Sequence, residues 1–330
     1  MLDQQHPDLA GELTLVASGW DNAIYRLGDD LAVRLPRRRI AADLVRNEQR
    51  WLPLLASTLP VAVPAPVRAG VPSDGFPWPW SVTPWLTGTV VAGVPVAARR
   101  GLAEPLAAFL NALHVPAPSD APANPVRGVP LSTRSAAMAE RFATGRVPLH
   151  LRPLWDELVA VPGWSGPPLW VHGDPHPGNL LAGPDGGLAA VLDFGDLTAG
   201  DPATDLAAAW LVFDAPARAA FRAALGPRVD ADTWQRARGW ALNIGAALAA
   251  DATGTPEMTA IAVHTSTRCG RALSHDLSVV DSDTAGRETF MVWRALSNGS
   301  GAGGARCPGR PVQRVSRLDG ADCVAGPVAS

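Results

Sequence analysis

Trp170-Val171-His172-Gly173-Asp174-Pro175-His176-Pro177-Gly178-Asn179, followed by Val191-Leu192-Asp193-Phe194-Gly195, is the stretch that decides how this 330-residue chain is read. Asp174, Asn179 and Asp193 stand at intervals of five and fourteen residues. Between them the pattern predicts a hairpin: a strand over 179–182, the turn Gly183-Pro184-Asp185-Gly186-Gly187, and a strand over 188–192. Such a hairpin brings Asn179 and Asp193, near its open end, close to the loop that carries Asp174. Phosphoryl transfer uses this grouping: one carboxylate orients and deprotonates an attacking hydroxyl, and oxygen ligands hold Mg2+ against phosphates.

Upstream, residues 13–35 read as a strand meander. Leu13–Ala17 and Ala23–Leu27 flank the polar turn Ser18-Gly19-Trp20-Asp21-Asn22. Gly28-Asp29-Asp30 then reverses the chain into Leu31–Leu35, where Leu31, Val33 and Leu35 alternate with Ala32 and Arg34. Period two places Ala32 and Arg34 on one face of that strand. A helix is predicted over 40–55, with Leu44, Glu48, Trp51 and Leu55 on one stripe. A carboxylate on an inward stripe is costly unless paired, and Arg34 is the natural partner. The alternative is a slightly rotated stripe with Glu48 in solvent.

A Pro-rich passage over 60–79 leads to Trp80–Leu86, read as an edge strand, and Thr87-Gly88 reads as a lobe boundary. The C-terminal half is mainly helical by pattern, over 96–113, 132–142, 150–160, 202–212, 216–225, 231–250 and 256–273. From Asn298 the sequence is rich in Gly and Arg without apolar periodicity, and 298–330 reads as a disordered tail.

Composition sets the outer limits. The chain is 47% apolar and 18% charged, a globular profile, and its net charge of -3 gives no reason to expect a nucleic-acid partner. All 28 basic residues are arginine, so any cation the protein uses is Arg or protonated His. Cys269, Cys307 and Cys323 form neither a disulfide framework nor a metal-ligand spacing, which fits a reducing, cytoplasmic setting. No apolar run approaches the length of a membrane span, and the start lacks an apolar signal core.

His172-Gly173-Asp174 with Asn179 resembles the catalytic loop of the aminoglycoside phosphotransferases, relatives of the protein kinases, and Asp193-Phe194-Gly195 resembles the metal-binding triplet of that wider superfamily. Gly200-Asp201-Pro202-Ala203-Thr204-Asp205-Leu206-Ala207 is similar to the segment that follows the triplet in the phosphotransferases. The resemblance spans residues 10–275 and implies an α+β, two-lobed kinase-like fold. A small antiparallel sheet with a helix (1–86) would bind ATP or GTP, and a larger helical lobe (87–297) would carry catalysis and the acceptor. It implies Asp174 as catalytic base, Asn179 and Asp193 as Mg2+ ligands, and His172 and Asp205 as braces of the catalytic loop. Ala32 would lie against the base of the nucleotide, and Arg34, held by Glu48, would contact phosphate. Arg34 stands where the family places lysine; guanidinium holds phosphate bidentately but is bulkier. Ser18 would belong to the nucleotide-covering loop and Trp85 to the hinge. The acceptor would be a hydroxyl of an aminoglycoside or similar small molecule.

Other readings stay open at this stage. His172 can be a buried histidine bonded to a main-chain carbonyl. His172, Asp174 and His176 also suggest a metallohydrolase cluster, although no second His/Cys cluster supports zinc. Arginine in the lysine position admits a pseudokinase that binds nucleotide without turnover. Asp201-Pro202 reads as a helix N-cap followed by proline at the first helical position. Asp214, Asp232 and Asp251 are carboxylates that a cationic acceptor could meet.

Overall fold

The computed structural model describes residues 1–9, 11–19, 21–250 and 256–270. The expected tail, Asp251, Trp20, Cys307 and Cys323 lie outside the described residues.

After a short helix, α1 (Leu2–Gln5), come β1 (Leu13–Ser18), β2 (Asn22–Leu27) and β3 (Leu31–Pro36). Gly28 makes the β2–β3 turn at φ +58°, a conformation that costs glycine nothing sterically. With β4 (Arg68–Gly70) and β5 (Trp80–Pro84) these strands form one antiparallel sheet in the order β1-β2-β3-β5-β4. The alternation in β3 sorts its faces. Val33 is fully buried in a small core with Leu2, Leu27, Trp80 and Val82, and Leu31 and Leu35 pack on that core. Ala32 and Arg34 take the other face.

One expectation needs correction. The strand read over 80–86 is not at the edge of the sheet: β5 lies between β3 and β4. β4 is three residues long inside a Pro-rich passage, too short to show a period, yet it pairs Arg68 with Val82 and Gly70 with Trp80.

α2 (Arg39–Ala56) joins the sheet to the rest of the molecule. Its Trp51, Leu52 and Leu55 enter a second, much larger core, where the Trp51 ring lies 5.1 Å from that of Trp170. That core is built by α3 (Ala103–Leu113), α4 (Ser135–Ala143), α5 (Arg152–Val159) and five further helices. These are α6 (Ala203–Leu206), α7 (Ala208–Leu211), α8 (Ala215–Leu225), α9 (Ala231–Ala250) and α10 (Pro256–Gly270). α9 is the axis of this region, packing on α5, α6 and α10. The helix expected over 202–212 is two pieces. The backbone tightens at Ala207 (φ -54°, ψ -26°), whose carbonyl accepts from both Trp210 and Leu211.

Short strands sit between the helices. β6 (Thr89–Val90), β8 (Leu180–Ala182) and β9 (Leu188–Val191) form one sheet, and β7 (Leu169–Val171) pairs with β10 (Thr198–Gly200). β8 and β9 are the predicted hairpin. Every described element agrees with an α+β protein, an antiparallel sheet first and a mainly helical region after it.

Candidate active site

β7 delivers the chain into the loop at 172–179 and the β8–β9 hairpin returns it at Asp193, so the loop and the triplet meet. Gly173 sits at φ +94°, and a Cβ there would lie 2.7 Å from the main-chain oxygen of Asp196. Only glycine accepts both the conformation and that approach. Asp205, fully buried in α6, points back to this loop. Its Oδ2 accepts from the His172 N–H and its Oδ1 from the Gly173 N–H, both at 2.8 Å. His114, at the end of α3, places Nε2 3.0 Å from the same carboxylate.

His172 is engaged by main chain on both ring nitrogens. Nδ1 accepts from the Asp174 N–H at 3.1 Å, so Nε2 carries the hydrogen and donates to the Leu192 carbonyl at 2.9 Å. His176 likewise spends Nδ1 on the Gly178 N–H at 3.0 Å. These bonds overturn the zinc-cluster alternative, because His172 has no lone pair left for a metal. Among the described residues no group of three or more His, Cys, Asp or Glu is arranged to hold a metal ion.

Asn179 donates its amide to the Asp174 main-chain carbonyl at 2.9 Å, so its amide oxygen is the atom that could meet a cation. Asp193 adopts φ +59°, rare for a residue with a side chain, and its carboxylate is 56% exposed. Hard oxygen donors of this kind suit Mg2+, which takes one or two protein ligands and completes its shell with phosphate and water.

Arg34 Nη1 donates to Glu48 Oε2 at 2.8 Å, and Arg34 Nη2 lies 3.8 Å from Asp193 Oδ1. Burial works against the Arg34 charge, yet Glu48 and Asp193 outweigh it and hold the guanidinium above its ordinary range. The loop between β1 and β2 is fastened from the other side: Arg37 donates to the Gly19 carbonyl and Arg38 to Asp21, both at 2.6 Å.

Two cavities share this region. One, about 490 Å³, is lined by Asp21, Arg34, Glu48, Asp174, Asp193 and Asp196, among others. The other, about 980 Å³ and open to solvent, runs along Ala17, Ile24, Ala32, Thr83, Trp85 and Leu86. Ala32, Arg34 and Trp85 thus share a wall. The Trp85 N–H donates to the Asp30 carbonyl at 2.7 Å, and Arg26 stacks on the Trp85 ring at 4.6 Å. Ser18 ends β1 exposed, and its neighbours Ala17 and Gly19 form the cavity wall. Asp201 Oδ1 accepts from the Ala203 N–H at 2.9 Å, but α6 starts one residue later than expected, with Pro202 rather than Asp201 at its N-cap, and Asp201 is also ion-paired at 2.8 Å to Arg236, 35 residues away.

Several residues of this site escaped the sequence reading. Arg127, in the Pro-rich loop before α4, lies 3.4 Å from Asp174 Oδ1 and 3.4 Å from Asp196 Oδ2. Asn124 donates to Asp196 at 2.8 Å. Burial disfavours the Asp174 charge, but His176 and Arg127 beside it hold the carboxyl below its usual range. Asp196 goes the other way: burial prevails over Arg127 and raises it.

The fold is kinase-like, with a groove between an antiparallel sheet and a mainly helical region. The chain belongs to the phosphotransferase enzyme family (APH), whose sequence model matches residues 12–240. No curated protein matches it. Among solved structures it is similar to the GDP and kanamycin complex of APH(2")-IIia at 21% identity, covering 83% of this chain and 98% of that one, with a TM-score of 0.61. It is also similar to the apoenzyme of macrolide 2'-phosphotransferase MphH from Brachybacterium faecium at 23% identity, covering 80% and 96%, with a TM-score of 0.53. The streptomycin–ATP–APH(2")-IIa ternary complex matches at 18% identity over 75% and 86%, with a TM-score of 0.53.

Proposed function

We propose that this phosphotransferase is a small-molecule kinase that moves the γ-phosphoryl group of ATP or GTP to a hydroxyl of an aminoglycoside or a similarly small metabolite. The observation that carries the reading is the 490 Å³ cavity. It gathers Arg34, Glu48, Asp174 and Asp193 from four separate segments, the set to which the family resemblance gives the phosphate, metal and base roles.

The base of the nucleotide would lie along Ala32 and Ile24, near Trp85 and Leu86 at the hinge. Arg34, oriented by Glu48, would take the phosphates, with Ser18, Gly19, Asp21 and Asn22 of the β1–β2 loop covering them. Asn179 and Asp193 would hold Mg2+, which when bound neutralises phosphate charge and aligns the γ-phosphoryl group. Asp174 would receive the proton of the acceptor hydroxyl as that oxygen attacks in line. Its depressed pKa keeps it ionised at neutral pH, as an acceptor must be. His172, Asp205 and His114 do no chemistry in this scheme; they fix where the Asp174 main chain runs. Catalysis is then mostly positioning and charge stabilisation.

In this reading residues 1–86 form the nucleotide lobe, 87–297 the catalytic and acceptor lobe, and 298–330 a tail, in a cytoplasmic enzyme. No described helix is long and apolar enough to cross a membrane. The test is Asp174→Ala: phosphoryl transfer should disappear while Mg2+–nucleotide affinity stays near wild type. Near-normal turnover would sink the assignment of Asp174, and wild-type protein that binds nucleotide but never turns over would mark a pseudokinase.

A further inference from the structure

Asp174 and Asp196 both line the 490 Å³ cavity, and Arg127, which does not, reaches both of them. Its Nη2 lies 3.4 Å from Asp174 Oδ1 and its Nε 3.4 Å from Asp196 Oδ2, with the side chain 15% exposed. The second contact is an ion pair only, since Nε has no hydrogen-bond partner. The loop that carries Arg127 is tied down on either side of it. Asn124 Oδ1 accepts from the Val126 N–H at 2.8 Å and from the Arg127 N–H at 3.1 Å, while its Nδ2 donates to Asp196 Oδ1 at 2.8 Å. The Gly128 N–H donates to the hydroxyl of fully buried Thr204 at 3.1 Å, and the Gly128 carbonyl accepts from the Asp201 N–H at 2.8 Å. Arg127 therefore approaches Asp174 from a fixed backbone.

The two oxygens of Asp174 have different neighbours. Oδ2 lies 3.5 Å from His176 Nε2 and 3.5 Å from the Asn179 amide nitrogen, and Oδ1 has Arg127. The last torsion of an aspartate is broad and nearly two-fold, so bonds that fix the Asp174 main chain leave the plane of its carboxylate open. A general base has to present a lone pair within hydrogen-bond reach of one particular hydroxyl. Asp196 is placed in a similar way, by Asn124 on Oδ1 and Arg127 on Oδ2. Two carboxylates facing one cavity repel each other, and a cation held at equal distance from both sets their separation.

We infer that Arg127 is a positioning residue for phosphoryl transfer: it sets the plane of the Asp174 carboxylate and the spacing between Asp174 and Asp196, without itself touching nucleotide or acceptor. The inference rests on the phosphotransferase reading and adds to it the residue that aims the base. His172, Asp205 and His114 fix the main chain of the loop at 172–179; Arg127 fixes the side chain that the chemistry uses. Guanidinium suits this task because its rigid planar fork directs donors to two carboxylates at once, whereas an ammonium is a single point charge.

The experiment measures nucleoside diphosphate release from Mg–ATP and Mg–GTP by the full chain, with kanamycin, streptomycin, a macrolide or water as acceptor. Wild type, Arg127→Gln and Arg127→Lys are compared, and the melting temperature of each is taken with and without Mg–nucleotide. For the acceptor that wild type uses, Arg127→Gln should lower kcat about tenfold or more, with KM for acceptor and nucleotide within about twofold. Arg127→Lys should recover part of that loss and stay below wild type; it decides the matter if Arg127→Gln does not fold. A raised KM with unchanged kcat would assign Arg127 to acceptor binding, and wild-type kcat in either variant would make it dispensable. Either result would overturn the inference and leave the phosphotransferase reading standing. A fall in kcat that comes with loss of the nucleotide-dependent melting shift would also overturn it, as general damage to the fold. No release with any acceptor from folded wild-type protein would overturn the phosphotransferase reading and the inference with it.

Discussion

Arg34 Nη1 and Glu48 Oε2 lie 2.8 Å apart between β3 and α2, and both residues are more than nine-tenths buried. The pair crosses from the sheet to the helix that leads into the large core. Its second carboxylate oxygen, Glu48 Oε1, is buried without a hydrogen-bond partner, so the pair depends on its one strong contact. Removing one partner of a buried pair strands the other, at a cost of about 3–5 kcal/mol. Glu48→Ala should therefore lose stability of that order in urea unfolding and weaken Mg–nucleotide binding as Arg34 loses its orientation. A variant within about 1 kcal/mol of wild type would show that Asp193, 3.8 Å from Arg34, suffices alone.

Asp205→Asn tests the brace behind the loop at 172–179. The carboxylate accepts two main-chain N–H bonds and faces His114. An amide in its place turns an NH2 group toward a donor, so one bond becomes a repulsive contact. The expected loss is about 2–4 kcal/mol of stability, from hydrogen bonds to a buried charged group, with a fall in kcat larger than any change in KM for nucleotide. Unchanged kcat in a folded Asp205→Asn protein would remove the brace from the account.

Gly173→Ala combines a left-handed backbone with a Cβ 2.7 Å from the Asp196 carbonyl oxygen. The neighbour is main chain and cannot swing aside. Stability should fall by more than about 1 kcal/mol, and the Asp174 carboxylate should shift enough to cost at least tenfold in turnover. Wild-type turnover would mean that the loop tolerates displacement.

His264, on α10, supplies a pH test remote from the proposed chemistry. Burial, followed by the charges of Arg268 and Arg99, pushes its imidazole down to about 4. In the unfolded chain it titrates near 6.5, so between those values the unfolded state binds a proton that the folded state refuses. Stability should fall as pH drops from about 6.5 toward 4 and should not change through this group at higher pH. His264→Gln should show a smaller drop in melting temperature between pH 7 and pH 5 than wild type. Equal drops would assign the acid sensitivity elsewhere.

Much of this arrangement could be read from the chain because its signals are local. Leu31, Val33 and Leu35 alternate over five residues, which fixed the faces of β3 and so the side on which Arg34 emerges. Asp174, Asn179 and Asp193 flank a hairpin whose turn is spelled by Gly and Pro, so their meeting followed from short-range pairing. Arg127 is 47 residues from Asp174 and lies in a Pro-rich loop with no period, so nothing near it in sequence announces its carboxylates. His114 directly follows the helix read over 96–113, and its contact with Asp205 spans 91 residues. β4 escaped for a different reason: three residues are too few for alternation, and only its pairing with β5 defines it. The break at Ala207 was hidden because alanines on both sides favour continuous helix.

The most direct test of the nucleotide cleft is the melting temperature of the full chain with Mg2+ and either ATP or GTP, in wild type and in Asp193→Ala. A ligand that binds only the folded state raises the melting point by mass action, by about 2.7 kcal/mol of stability at a hundredfold excess over Kd. The account predicts a magnesium-dependent rise with one or both nucleotides in wild type and its loss in Asp193→Ala. No rise with either nucleotide, or an equal rise in Asp193→Ala, would contradict it.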